Sequence, residues 1–198
     1  MSTLQTTNIT HGSNSGTNNL ILDDTGKVSI ADKKLYCPGC IIQINQTVKT
    51  DTWSSNASST AWEDVTGMSV AITPTASTSE VLVSWNLNFG VDNGHIGWKL
   101  LRDSTDINIG DAAGSRVQAS GWWHRGPADD ANDIINFSGE FLDTGIATTS
   151  ATTYKIQMAT PYSASYQAFL NRPGTDTDVS WVGRTASSIT VKEICRAS

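Results

Sequence analysis

The stretch from 81 to 89, Val-Leu-Val-Ser-Trp-Asn-Leu-Asn-Phe, constrains the fold of this chain more than any other feature. Successive side chains of a strand point to opposite faces, so Val81, Val83, Trp85, Leu87 and Phe89 share one side, opposite Leu82, Ser84, Asn86 and Asn88. The segment 153–158 repeats this period, with Tyr154, Ile156 and Met158 facing in. The segment 188–194 closes the chain with Ile189 and Val191 together and Ile194 out of step. Strands are expected near 41–49, 62–72, 80–89, 97–102, 134–142, 153–159, 166–170, 179–181 and 188–194. Charged residues make up only 16% of the chain, against roughly 25% in an average soluble domain. Thr, Ser and 16 glycines fill the gap; Thr suits pleated surfaces, while Ser and Gly suit turns. No long stretch gathers the Ala, Leu, Glu, Lys and Gln of a surface helix. The fold class is all-β. Eight or nine short strands with polar turns leave a plain sandwich and a jelly roll both open.

Residues 1–36 read differently. They hold no aromatic residue before Tyr36, and 6–19 is polar and turn-rich. Two short strand-like runs follow, Leu20-Ile21-Leu22 and Lys27-Val28-Ser29-Ile30, joined by Asp23-Asp-Thr-Gly26. A Gly-terminated connection between β-formers is a hairpin signal. A single hairpin buries too little surface to stand alone. Leu20, Ile21, Leu22, Val28 and Ile30 are therefore expected to meet a partner, either another copy or a docking surface. This divides the chain into an anchoring segment, 1–40, and one core-forming domain, 41–198.

The net charge of −6 is spread along the chain, with no basic patch for phosphates, so no nucleic-acid partner is expected. No apolar run reaches about 18 residues, so no membrane insertion is expected. The N-terminus lacks the basic segment and apolar core of a secretory signal, which places synthesis in a cytoplasm.

Two motifs could carry chemistry. Cys37-Pro38-Gly39-Cys40 is a CxxC, which acts as a redox pair when it opens a helix in a βαβ unit. Here it follows a hairpin and precedes a strand, and a zinc ribbon would need a second pair where only Cys195 remains. The simplest reading is a tight Pro-Gly turn whose cysteines are small buried residues or a local disulfide. The second motif runs Gly121-Trp-Trp-His-Arg-Gly-Pro-Ala-Asp-Asp130. Adjacent tryptophans cannot share one side of a strand, so at least one is expected to be exposed or at a subunit contact. Planar indoles stack on sugar rings, and nearby Asp and His can hydrogen-bond hydroxyls. Trp122, Trp123, His124, Asp129 and Asp130, with Asp133 close by, are thus candidate receptor-contact residues. The competing reading packs Trp122 and Trp123 against a neighbouring subunit. His95 lies in a Gly-rich turn and reads as a solvent-facing loop residue, and His11 carries no specific signal. No phosphate loop, nucleophile elbow or zinc motif occurs. No catalytic residue, no cofactor and no enzyme activity are expected.

Four stretches carry a family resemblance. They are 20–30 with Pro38-Gly39 and 41–43; 60–74 with its Ser/Thr-rich continuation into 81–83; Leu100-Leu-Arg-Asp-Ser-Thr105 with Ile109-Gly-Asp111; and 141–143 with 148–157, ending in 187–194. Together they cover most of 20–194, and they resemble a group of bacteriophage tail, neck and head-fibre proteins. The C-terminal domain of that group is a jelly roll similar to the tumour-necrosis-factor fold. The resemblance implies a homotrimer made in the host cytoplasm and carried on the virion. Its segment 1–40 would trimerise or dock on other virion proteins, and 41–198 would form a jelly-roll knob that contacts a host surface glycan. Two alternatives stand beside this: a capsid, neck or tail decoration protein touching only virion proteins, and a tailspike-like enzyme degrading polysaccharide with a carboxylate pair from Asp129, Asp133 and Glu140. Cys37 and Cys40 depart from the family pattern. In a trimer, six such thiols could meet on the axis, as interchain disulfides or a shared metal site.

Overall fold

The computed structural model describes residues 8–9, 20–22, 28–30, 38–55, 61–126 and 131–196. The chain divides into two compact units, Met1–Pro38 and Gly39–Ser198. The smaller unit holds β1 (Asn8–Ile9), β2 (Leu20–Leu22) and β3 (Val28–Ile30) in one antiparallel sheet. Leu20 pairs with Ile30 and Leu22 with Val28, which is the hairpin read from the sequence; β1 adds a strand in a stretch read as turn-rich.

The larger unit is all-β, with no helix among the described residues. Its strands are β4 (Ile41–Lys49), β5 (Trp53–Ser54), β6 (Glu63–Ile72), β7 (Glu80–Val91), β8 (His95–Arg102), β9 (Thr105–Ile107), β10 (Gly121–His124), β11 (Ile135–Asp143), β12 (Thr152–Ala159), β13 (Ala168–Leu170) and β14 (Ser187–Ile194). They form two antiparallel sheets. In the first, β4, β14, β7 and β11 lie side by side, and β13 continues beside the far end of β7 and pairs with β5. In the second the order is β10-β8-β12-β6, with β9 also on β8. Among the eight main strands in chain order, the first sheet therefore holds the first, eighth, third and sixth, and the second holds the second, seventh, fourth and fifth.

Period-two patterning accounts for this arrangement. Val81, Val83, Leu87 and Phe89 are fully buried on β7, as are Tyr154, Ile156 and Met158 on β12 and Ile189 and Val191 on β14. One apolar core joins the inner faces of both sheets. At its centre the indoles of Trp85 (β7) and Trp98 (β8) meet edge to face, with centroids 5.2 Å apart. On one side the cross-strand partner of each is a glycine, Gly139 for Trp85 and Gly121 for Trp98; on the other it is Ile189 for Trp85 and Met158 for Trp98. A Cβ on Gly121 would lie 2.0 Å from Trp98 Nε1, and one on Gly139 2.9 Å from the Trp85 ring. The indoles lie flat over these neighbouring strands because no side chain stands there.

Asp143 and Glu193, two of the three buried carboxylates among the described residues, hold the most hydrogen bonds. Asp143 accepts from Arg102 Nη1 at 2.7 and 2.8 Å, from the Tyr154 hydroxyl at 2.8 Å and from the Gly145 amide at 3.0 Å. These bonds link β11 of one sheet to β8 and β12 of the other. Burial, reinforced by the bond to Asp143, pushes the Tyr154 hydroxyl far above its ordinary range. Glu193 takes the inward position on β14 that left Ile194 out of step. It is fully buried and accepts from the Thr75 amide and hydroxyl, Ser79 and Gln43. A buried charge needs such a set of donors to offset its desolvation.

At the start of β4, Gly39 has φ +86 and donates its amide to Cys195 O at 2.7 Å, while Cys195 donates to Cys40 O at 2.9 Å. This is the bonding of a bulge led by a left-handed glycine, for which Gly is the default residue. Cys40 is disulfide-bonded and Cys195 is free; Cys37 lies outside the described residues.

Several strand expectations shift. The segment 179–181 is not a strand: Val182 donates back to Val179 O in a turn, and Trp181 is 73% exposed. Gly174, Asp176 and Asp178 precede it, and turn-forming chemistry outweighs the β propensity of Val and Trp. Conversely, 121–124 pairs with β8 as a full strand.

Gly121→Ala is expected to destabilise the domain by about 1–3 kcal/mol, since the added methyl must displace a packed indole. Gly110→Ala, where nothing lies within 4 Å of the new methyl, should stay within about 0.5 kcal/mol of the wild type. Urea denaturation followed by tryptophan fluorescence measures both.

Candidate functional site

The short strand β10 splits its two tryptophans between faces. Trp123 turns inward and packs against the core, while Trp122 stands outward and is 41% exposed. Trp122 pairs with Gly97 of β8 and His124 with His95, so Trp122, His124, His95 and the open backbone of Gly97 share the outer face of the second sheet. A Cβ on Gly97 would lie 2.9 Å from Trp62 and 3.0 Å from Trp122. Glycine there lets two indoles lie against the strand. Lys99 on the same face sits over the Trp62 ring, 4.7 Å from its centroid.

A loop after β12 supplies the rest. Thr160, buried, donates to Ser163 O and Tyr166 O, and the Ser163 and Tyr166 amides close the turns of the loop. Tyr166 packs on Gly94, whose φ of +68 and contact 2.6 Å from a would-be Cβ both require glycine. Asp92 ties the parts together, accepting from the Asn93 and Gln167 amides at 2.8 Å through its carboxylate and from Arg125 through its carbonyl. Tyr162 is thereby carried to 5.2 Å from His95 and left 71% exposed.

His95, Val117, Trp122, Pro161 and Tyr162 line a solvent-open pocket of about 280 Å³. The Trp122 Nε1–H donates to His95 Nδ1 at 3.3 Å, and the His95 and His124 rings stack at 4.3 Å. Accepting through Nδ1 makes His95 the neutral tautomer with its proton on Nε2. Burial, together with the like charge of His124, lowers the His95 pKa below its ordinary 6.5.

His95 is thus not a solvent-facing loop residue, as its Gly-rich context suggested, but the first residue of β8 and partner of β10. Trp122 and His124 of the expected contact set stand together on the outer face, Trp123 lies on the other side, and Asp129 and Asp130 lie outside the described residues. Asp133 and Glu140 are exposed, Glu140 on β11 of the other sheet. Sequence reasoning missed Trp62, Val117, Pro161, Tyr162 and Tyr166; Pro161-Tyr162 directly follows an alternating strand, but only long-range pairing carries it to β10. No group of three or more metal-ligating residues occurs among the described residues.

No family model and no curated protein matches this chain. Among solved structures, the chain is similar to one in the structure of the Gx strain of infectious bursal disease virus. The two are 14% identical, the alignment covers 88% of this chain and 42% of that one, and the TM-score is 0.37. The chain thus spans less than half the length of that chain. A likeness at this level fixes neither a family nor a role.

The lowered His95 pKa carries a stability signature. Between that value and the ordinary histidine range the unfolded chain binds more protons than the folded one, so stability rises with pH there. It is expected to be complete above the ordinary range, to fall as pH drops through it, and to level off below the folded value. Urea midpoints between about pH 7.5 and pH 5.5 should fall less in His95→Asn than in the wild type.

Proposed function

We propose that this chain is a virion structural protein, a small homotrimeric appendage of a tailed phage, and that it is not an enzyme. Its larger unit is read as a jelly-roll knob and its smaller unit as the segment that docks on other virion proteins. The observation that carries this reading is the strand order of the two sheets. First, eighth, third and sixth opposite second, seventh, fourth and fifth is the connectivity expected of two interleaved Greek keys. The family resemblance of 20–194 supports the same fold.

The trimer reading rests on the outer face of the first sheet. Ile44 and Val48 of β4 are 59% and 55% exposed, and Leu142 of β11 is 42% exposed. Between them stand Ser188, Thr190, Ser84 and Asn86, short side chains suited to close approach. Ile44, Lys192, Leu82 and Leu142 form one continuous cross-strand row. Exposed apolar side chains on a sheet face, here broken only by Lys192, are a hazard in a monomer and a ready interface in an oligomer. In the assembled particle the opposite sheet, with Trp122, then faces outward toward a host surface.

Replacing Ile44 and Val48 together by Lys is expected to convert a trimer into folded monomers, read by sedimentation equilibrium. Both side chains point to solvent in the single chain, so the fold has no reason to fail. A wild-type chain already sedimenting as a monomer would overturn the trimer.

A further inference from the structure

We propose that the pocket between β8, β10 and the 160–166 loop binds the flat face of a neutral sugar ring, with Trp122 and Tyr162 as the stacking surfaces. The inference rests on reading the outward sheet as the contact surface and adds the ligand class and the residues that select it.

Size and shape come first. At about 280 Å³, the pocket falls just short of the roughly 300 Å³ at which pockets for drug-sized ligands begin. One ring fits, with the rest of a chain running out into solvent. The walls are planar: an indole, a phenol and an imidazole, with Val117 and Pro161 filling between. A pyranose has the matching character, with an apolar C–H face and a rim of hydroxyls. The lining is mostly apolar, and its hydrogen-bonding capacity resides in two of its residues, Tyr162 and His95. The Tyr162 hydroxyl can donate or accept, and His95, accepting from Trp122 through Nδ1, presents Nε2–H as a donor.

Charge narrows the class. No Lys, Arg, Asp or Glu lines the pocket, and the chain carries a net charge of −6. A uronic acid, a sulfated sugar or a nucleotide would find no counter-ion there and an unfavourable overall field. A neutral ring meets neither cost.

The site is also built in advance. Trp122 is exposed yet fixed, seated against Gly97 and hydrogen-bonded to His95, so little ordering entropy is lost on binding. His95 acts as a positioning residue, and its protonation removes the acceptor. An imidazolium has no lone pair for the Trp122 Nε1–H, so the indole loses its tether. His124 stacks on His95 from β10 and Tyr162 meets it from the loop; neither offers a negative charge to favour protonation. Sugar binding is therefore expected to weaken as pH falls below the ordinary histidine range and His95 takes up its proton.

The test is a fluorescence and NMR titration of the full chain near pH 7.5 with the methyl glycosides of glucose, galactose, mannose, rhamnose and N-acetylglucosamine. Methyl glucuronide serves as the anionic counterpart. At least one neutral glycoside is expected to shift the Trp122 indole N–H resonance. Tyr162→Ala, at a mostly exposed position, should weaken that binding about tenfold, the equivalent of one aromatic stacking contact, and Trp122→Ala should do the same. Trp181→Ala, exposed but outside the pocket, should leave it unchanged. Lowering the pH below the ordinary histidine range should weaken binding in the wild type and have less effect in His95→Asn. Silence toward every neutral glycoside, full binding by Tyr162→Ala, or equal binding of the glucuronide would overturn the proposal. A trimer that ignores sugars overturns this site alone, whereas a monomer that binds them overturns the assembly alone.

Discussion

The contact between Trp85 and Trp98 is the constraint on which the larger unit depends. It joins the centres of the two sheets, and each indole lies over a glycine on one of its two neighbouring strands, Gly139 beside Trp85 and Gly121 beside Trp98. Gly121 and Gly139 contribute no packing of their own and weaken the strands they occupy. That local cost is offset by two large aromatic surfaces removed from water at one point. The contact also fixes registers. Gly121 opposite Trp98 sets Trp122 opposite Gly97 and His124 opposite His95, so the packing of the core determines which side chains stand on the outer face.

One inner constraint therefore produces two different surfaces. On the first sheet, the outward residues of β4, β14, β7 and β11 are polar groups, with Lys192 and Glu140 among them, interrupted by Ile44, Val48, Leu82 and Leu142. On the second sheet, outward glycine at 97 exposes backbone that Trp62 and Trp122 cover, giving an aromatic face with a pocket at one end. Both faces follow from the same alternation, since a strand that commits alternate positions to the core leaves the others to whatever meets the outside.

The inward stripes of β7, β12 and β14 were legible because Val, Leu, Trp, Phe and Ile repeat there with a period of two and nothing competes with that signal. Even the irregularity at Ile194 was visible, although its cause, a buried Glu193 held by Thr75, Ser79 and Gln43, was not. Val179 and Trp181 misled because their β propensity is local while the Gly and Asp residues before them set a turn. β10 was not among the expected strands because four residues are too few to show a period, and its strand character comes from pairing with β8. His95 was misplaced for the same reason. The pocket was half legible: the Trp122-Trp123 pair stood out in the sequence, but Tyr162, which lines the pocket beside Trp122, lies 40 residues further along the chain. Only the antiparallel pairing of β12 with β8 brings them near.

The central claim, that this chain is a structural part of a virus particle, is tested most directly by finding it on one. Particles released from lysed producing cells would be banded on a density gradient and labelled with gold-conjugated antibody raised against the Gly39–Ser198 unit. The account predicts that the chain co-sediments with particles and that gold marks discrete, repeated positions on them. A chain recovered entirely in the particle-free fraction, with unlabelled particles, would contradict it.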